Sequence, residues 1–362
     1  MLTISCILLV SILILMVILE FWSYPGKPKP FVDENGKPLA GSISEKVFVN
    51  INRVEQGMFI KGKDVNNPIL LYLHGGMPDY FLTERYPTGF EEHFTVVWWE
   101  QRGSGLSYSP EIPRDTLNLG QMISDTLEVT NYLRHRFGRE KIYLMGHSGG
   151  TFIGIQAAAR APDLYYAYIG VAQMVNQRKS EMIAYDYMLQ RFKVNGNMSM
   201  LRKLEAAPVT MDGGTPPAYL LLRDQAMHSL GVGTTHGMNS VITGIVLPSF
   251  ESRDYTLSEK IELWHGKASS GVASLWDEML ATDLNQTLTE FEMPIYFLGG
   301  VYDYTVNYTL AKDYFGKIQE PVKGFYTFEH SAHSPMFEEP AKTLKILQQD
   351  VLTGSNNLAD EK

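Results

Sequence analysis

Cysteine is almost absent: Cys6 is the single one in 362 residues, and it falls in an N-terminal apolar run. A disulfide within the chain is therefore excluded, and so is a cysteine-ligated metal site. The redox compartment is left open. Long runs of basic charge are missing too. Lys and Arg total 31 against 40 Asp and Glu, a formal net charge of −9, with no basic cluster to grip phosphates, which argues against a nucleic-acid partner. No H-E-x-x-H or comparable ligand spacing occurs, so neither a metal nor an organic cofactor is expected. What remains is ordinary globular composition, 44% hydrophobic and 20% charged, enough for one large domain or one domain with an inserted lid.

Met1 to Trp22, MLTISCILLVSILILMVILEFW, is a nearly unbroken apolar run whose only charge is Glu20. Its length suits a single bilayer-spanning helix, with Trp22 and Tyr24 placed where interfacial aromatics are expected. A cleaved signal peptide is the competing reading, but no basic segment precedes the run and no A-x-A-like site follows it. A membrane anchor is therefore expected, followed by a stiff Pro- and Lys-containing linker. Lys27 and Lys29 are too few to fix the side of the membrane on which the rest of the chain lies.

Beyond the linker, Lys46 to Asn52 and Gln56 to Lys61 alternate apolar and polar residues, which predicts an antiparallel hairpin. Pro68 to Leu73 and Phe94 to Trp99 are continuous apolar runs of the kind that a sheet buried on both faces requires. A helix over Leu117 to Phe137 follows, ended by Gly138. Tyr165 to Ala172 predicts another buried strand. From Gln173 to about Thr289 the strand–helix alternation stops in a Met-rich, mostly helical stretch, which predicts an inserted cap. It resumes with Pro294 to Leu298, a helix from about Val306 to Ile318, Gly324 to Phe328, and a last helix from Glu338 to Val351. Such alternation implies a mainly parallel, doubly wound α/β sheet.

The stretch around which the chain is organised is Lys141 to Thr151, KIYLMGHSGGT. A short apolar strand runs into Gly146-His147-Ser148-Gly149-Gly150 and then a small-residue helix. This is the G-x-S-x-G nucleophile elbow, in which glycines flank a serine on a strained strand-to-helix turn. Two further stretches follow predicted strands, at the sheet edge where open α/β sheets bind ligands. They are Gly299-Gly300-Val301-Tyr302-Asp303 and Glu329-His330-Ser331-Ala332-His333-Ser334-Pro335.

The resulting chain order, Ser then Asp then His, is that of the α/β-hydrolases. A serine hydroxyl attacks well only when an imidazole takes its proton, and the imidazole needs a carboxylate to fix its tautomer. Ser148 is expected as nucleophile, His333 as general base and then acid, and Asp303 as the orienting carboxylate. His330 is the rival to His333, while His147 is expected to pack beside the serine. The turn Leu73-His74-Gly75-Gly76-Met77-Pro78 follows a strand, so the backbone N–H groups of Gly76 and Gly149 are the expected oxyanion donors.

Taken together, HGGMP, WWEQRGSGLS at Trp98 to Ser107, GHSGG, GGVYD and SAHSP resemble the proline iminopeptidase branch of the α/β-hydrolases, serine peptidase family S33. The likeness spans about Lys46 to Val351, and Gln101 to Ser107 is its most branch-specific element. It implies an α/β-hydrolase fold with a helical cap over the site, and an aminopeptidase that hydrolyses small peptides. The chain departs from the family in carrying Met77-Pro78 where Pro-Gly is usual and Glu100 where aspartate is usual. It also has no clean counterpart of the tryptophan-rich motif whose cap glutamates hold the substrate amine. Glu181, Asp186, Glu205, Glu262, Asp277 and Glu278 are the available cap acids, and Trp264 and Trp276 could line a pocket or pack in the cap core.

The expected organisation is an anchor over 1–22, a linker over 23–45, hydrolase core over 46–172, a cap over 173–289, the second part of the core over 290–351 and a tail over 352–362. The expected function is a membrane-anchored serine hydrolase acting on a small molecule or short peptide. An aminopeptidase of proline iminopeptidase type comes first, then a carboxylesterase or lipid-ester hydrolase, then a tethered binding protein without turnover. Epoxide and haloalkane hydrolysis is disfavoured, because related enzymes for those reactions use an aspartate where Ser148 stands.

Overall fold

Two alternating segments, β1 (Ile43–Ile51) and β2 (Val54–Gly62), pair antiparallel with Ile51 opposite Val54. The two residues between them, Asn52 and Arg53, both take positive φ, the backbone that a tight two-residue hairpin requires. The apolar runs then form β3 (Ile69–Leu73), β4 (Thr95–Trp99), β5 (Ile142–His147), β6 (Tyr165–Val171), β7 (Ile295–Gly300) and β8 (Lys323–Phe328). In the computed structural model, which describes residues 2–269 and 271–360, these strands make one eight-stranded sheet of order β1-β2-β4-β3-β5-β6-β7-β8. Every pairing beyond β2–β4 is parallel. This is the α/β-hydrolase sheet, parallel except at the hairpin edge.

Helices cover both faces of the sheet, so the central strands are buried throughout and a separate apolar cluster lies on each side. In chain order the helices begin with α1 (Leu2–Trp22), α2 (Leu119–Phe137) and α3 (Gly149–Arg160). The second is bounded as its sequence dictates: the Asn118 side chain accepts from the Gln121 N–H at its start, and Gly138 closes it in the left-handed conformation. Between β6 and β7 the chain leaves the sheet to build a helical layer with its own core, around Tyr185, Met188, Phe192, Leu204 and Tyr219. Its first three helices are α4 (Gln177–Val194), α5 (Met198–Glu205) and α6 (Pro217–Ser229).

Three points refine the expectations. The last helix starts at Pro340 and not at Glu338, with a separate helical turn over Pro335–Glu338 before it. Proline disfavours helical backbone in the residue before it, and Glu339 accordingly sits at φ −126°, ψ 60°. The linker does not stand free: the Gly26 N–H donates to the Arg253 carbonyl at 3.1 Å, and Lys260 Nζ donates to Ser23 Oγ at 3.0 Å. The membrane-spanning helix over 1–22 is not supported by the described residues. Among the described residues no helix is long and apolar enough to cross a membrane. Met1, Glu361 and Lys362, at the ends of the expected anchor and tail, lie outside the described residues.

The Gln-Arg-Gly-x-Gly-x-Ser segment is fixed by buried charge. Arg102 Nε and Nη2 donate to Asp125 of α2 at 2.6 and 3.0 Å, and Gln56 Nε2 donates to the same carboxylate at 2.8 Å. Glu100 is buried as well, accepting from the Leu106 N–H at 2.6 Å and from the Tyr255 hydroxyl, and burial pushes its pKa up to about 8. Removing one partner of a buried pair strands the other charge, so Asp125→Ala should cost about 3–5 kcal/mol in the urea unfolding transition. A loss of under about 1 kcal/mol, the range of surface pairs, would show that Arg102 finds solvent instead.

Candidate active site

Strand β5 ends and α3 begins at Ser148, whose φ is +55° and ψ −125°. A residue with a side chain is strained there, and the surroundings show what holds it. The Ser148 N–H is taken by the Val171 carbonyl at 3.1 Å. The neighbouring turn presses so close that a Cβ added to Gly75 would stand 2.7 Å from Ser148 Cβ. Likewise a Cβ on Gly150 would come within 2.6 Å of the His74 carbonyl oxygen. Only glycine fits at these two contacts, which is why the elbow and the His-Gly-Gly turn pack together.

Asp303 follows β7 and is 2% exposed. Its Oδ1 accepts the N–H groups of Thr305 and Val306, both at 2.9 Å, which orients the carboxylate from behind. Its Oδ2 accepts from His333 Nδ1 at 2.9 Å. That bond leaves Nε2 of His333 as the free ring nitrogen, as a proton acceptor must be. Burial lowers the His333 pKa from its ordinary value of 6.5, and Asp303 opposes the shift only in part. His330 is exposed, with its N–H bound to Glu339 Oε1 at 3.1 Å. The geometry thus brings His333, and not His330, to Asp303.

Ser148 and His333 line one cavity of about 290 Å³, together with Gly75, Gly76 and Gly149. Among the described residues no acceptor takes the N–H of Gly76 or of Gly149, so two donors are unspent at the cavity edge beside the serine. The wall is mainly apolar, with Met77, Phe81, Leu82, Met174, Met227, Ile245, Val272, Trp276, Met279 and Phe337. Of the two tryptophans singled out in the sequence, Trp276 lines the cavity. Trp264 instead donates to Ser249 Oγ at 3.0 Å and packs away from it.

None of the six cap acids named from the sequence lines the cavity. Asp186, Glu205, Asp277 and Glu278 point to solvent. Glu181 is fully buried and spent: Arg223 Nε and Nη2 donate to it at 2.8 and 2.6 Å, Tyr219 OH at 2.8 Å and Gln177 Nε2 at 2.7 Å. The carboxylates that do line the cavity, Asp79 and Asp224, escaped sequence reasoning. Asp224 lies next to Arg223 and 4.0 Å from Lys267. Asp79 stands just beyond the departure at Met77-Pro78, which was the available signal. Its side chain meets the second histidine that sequence reasoning had left without a task, His147.

Known proteins agree with this architecture. The family profile described as serine aminopeptidase, S33, matches residues 69–340. The probable aminopeptidase YbaC of Bacillus subtilis is 31% identical over 308 residues, spanning 84% of this chain and 95% of that relative. Among solved structures, the proline iminopeptidase of Mycobacterium smegmatis superposes with a TM-score of 0.58 at 15% identity, over 85% of this chain and 98% of that one. An epoxide hydrolase from Bacillus megaterium does so with a TM-score of 0.54 at 17% identity, over 85% and 100%. At such identities the two structures speak for the fold alone.

An imidazole accepts a proton only when neutral, so activity requiring His333 is full above its pKa and lost as pH falls through it. Since burial lowers that pKa, the acid limb of kcat/KM should have its midpoint below the ordinary histidine value of about 6.5. A midpoint clearly above that value would contradict the buried geometry.

Proposed function

The chain belongs to the serine aminopeptidase S33 family of α/β-hydrolase enzymes, and on that footing we propose that it cleaves acyl bonds through a covalent acyl-Ser148 intermediate. The observation that carries the reading is the convergence of a serine held at positive φ, a His333–Asp303 hydrogen bond and two unspent N–H donors on one apolar cavity. Ser148 Oγ attacks the substrate carbonyl carbon as its proton passes to His333 Nε2. Asp303 stays ionised and stabilises the imidazolium. Negative charge on the former carbonyl oxygen is met by the N–H groups of Gly76 and Gly149. When the tetrahedral intermediate collapses, the bond to the leaving group breaks and His333 returns the proton to it. Water then repeats the sequence, with His333 again as base, and releases the acid and free Ser148.

The substrate class we favour is a short peptide with an apolar N-terminal residue, proline included, cleaved as an aminopeptidase would. Support comes from the family and from the relative named as a probable aminopeptidase. A specific observation favours the second reading, hydrolysis of a carboxylic or lipid ester. Glu181, the deepest cap acid, is saturated by Arg223, Tyr219 and Gln177, so it is not available to a substrate ammonium group.

We further propose that α1 anchors the protein in a membrane. The support is the apolar sequence of Leu2–Trp22. Leu8, Leu9, Ile12, Leu15, Val17 and Phe21 are also exposed around its circumference, which water disfavours and lipid does not.

Ser148→Ala should lower turnover by about 10⁴-fold or more while leaving the unfolding transition in place; retained turnover would remove the assignment of the nucleophile. Between the two substrate classes, proline p-nitroanilide with a free amine, its N-acetyl counterpart and a short-chain acyl ester decide. Cleavage confined to the free amine supports the aminopeptidase, whereas ester cleavage with no gain from a free amine supports the esterase. The anchor is checked by detergent phase separation: the full chain should enter the detergent-rich phase, and a chain beginning at Ser23 should stay aqueous and active. Partition of both into water would contradict the anchor.

A further inference from the structure

Two histidines flank the nucleophile, and their hydrogen bonds differ in kind. His74 Nδ1 meets the Gly75 carbonyl at 2.8 Å, and its Nε2 accepts the Gln101 N–H at 3.1 Å. One acceptor and one donor suit a neutral ring, and burial pushes the His74 pKa down to about 4. His147 has acceptors on both sides. Its Nδ1 lies 3.2 Å from Asp79 Oδ2, and its Nε2 lies 2.9 Å from the backbone carbonyl oxygen of His333. Among the described residues, the only other hydrogen-bonding group near Nε2 is Ser334 Oγ, at the outer limit of 3.5 Å.

The shorter contact is the one to the His333 carbonyl, an oxygen that only accepts, so Nε2 carries the proton there. On the other side of the ring lies a buried carboxylate. Asp79 is 8% exposed, its Oδ2 also accepts from Tyr72 OH at 2.6 Å, and its Oδ1 has no hydrogen-bond partner among the described residues.

We propose that His147, seated against Asp79, is a positioning residue for His333, donating Nε2–H to its main-chain carbonyl. The contact ties the loop that carries the base directly to the turn that carries the nucleophile. The groups facing His147 are Tyr72, His74 and Asp79 from β3 and the turn after it, and His333 with Asp303 behind it. The two rings lie 4.9 Å apart. The inference rests on the roles given above to Ser148 and His333 and adds one that they leave out.

The test compares His147→Phe, which keeps a ring and loses the donor, with His147→Gln, whose amide N–H can still reach the His333 carbonyl. On a short-chain ester, His147→Phe should lower kcat by about 10- to 100-fold, the scale of a misplaced catalytic group, with KM nearly unchanged. His147→Gln should restore most of that loss. Equal losses in both variants, or none in His147→Phe, would overturn the positioning role. A measurement that needs no folded Phe variant is ¹⁵N NMR of histidine-labelled wild type, with the His147 signals identified by their absence from His147→Gln. Nε2 of His147 should be protonated at neutral pH, and an unprotonated Nε2 would overturn the donation to the His333 carbonyl. Turnover by Ser148→Ala would instead sink the underlying reading, so the two failures are distinguishable.

Discussion

Everything at the site depends on Ser148 keeping a backbone conformation that an isolated serine would avoid. Positive φ at the end of a buried strand lifts the hydroxyl above the sheet edge, and it persists because the neighbours leave no alternative. Val171 takes the Ser148 N–H, and Gly75 and Gly150 allow main chain to close in where a methyl group would collide. The same close approach brings the His74-Gly75-Gly76 turn beside the serine, so the strain that exposes the nucleophile also places the N–H donors. Strand β5 can bear this load because β3 and β6 pair with it on either side.

A second regularity is that four buried carboxylates each meet a basic side chain. Asp303 meets His333, Glu181 meets Arg223, Asp125 meets Arg102 and Asp79 meets His147. Each pair joins elements far apart in sequence, and each leaves a half-buried or fully buried group stranded if its partner is removed. The consequence for function is that the apolar wall decides which acyl group fits, while the fixed pairs hold the machinery in place. A substrate amine must find its carboxylate within this balanced set, and that is the point on which peptide and ester hydrolysis divide.

Much of the fold was legible because its signals are local. Apolar runs such as ILLYL and TVVWW, the Asn118 and Gly138 ends of α2, and the glycines around Ser148 each act over a few residues. Asp303 and His333 were legible for a related reason, since each directly follows a strand. The partners of the cap acids were not legible. Glu181 and Arg223 are 42 positions apart, and nothing in the local pattern tells a solvated acid from one buried against arginine. His147 read as a packing neighbour because its two acceptors, Asp79 and the His333 carbonyl, come from opposite ends of the chain.

The central claim is a covalent acyl-enzyme on Ser148. It is tested most directly by mixing the protein with an excess of a slowly deacylated p-nitrophenyl ester, quenching in acid, and mapping the adduct by peptide mass spectrometry. The account predicts one acyl group per chain, carried by the peptide that contains Ser148, appearing in step with a burst of nitrophenol. An adduct on another residue, or a burst with Ser148 unmodified, would contradict it.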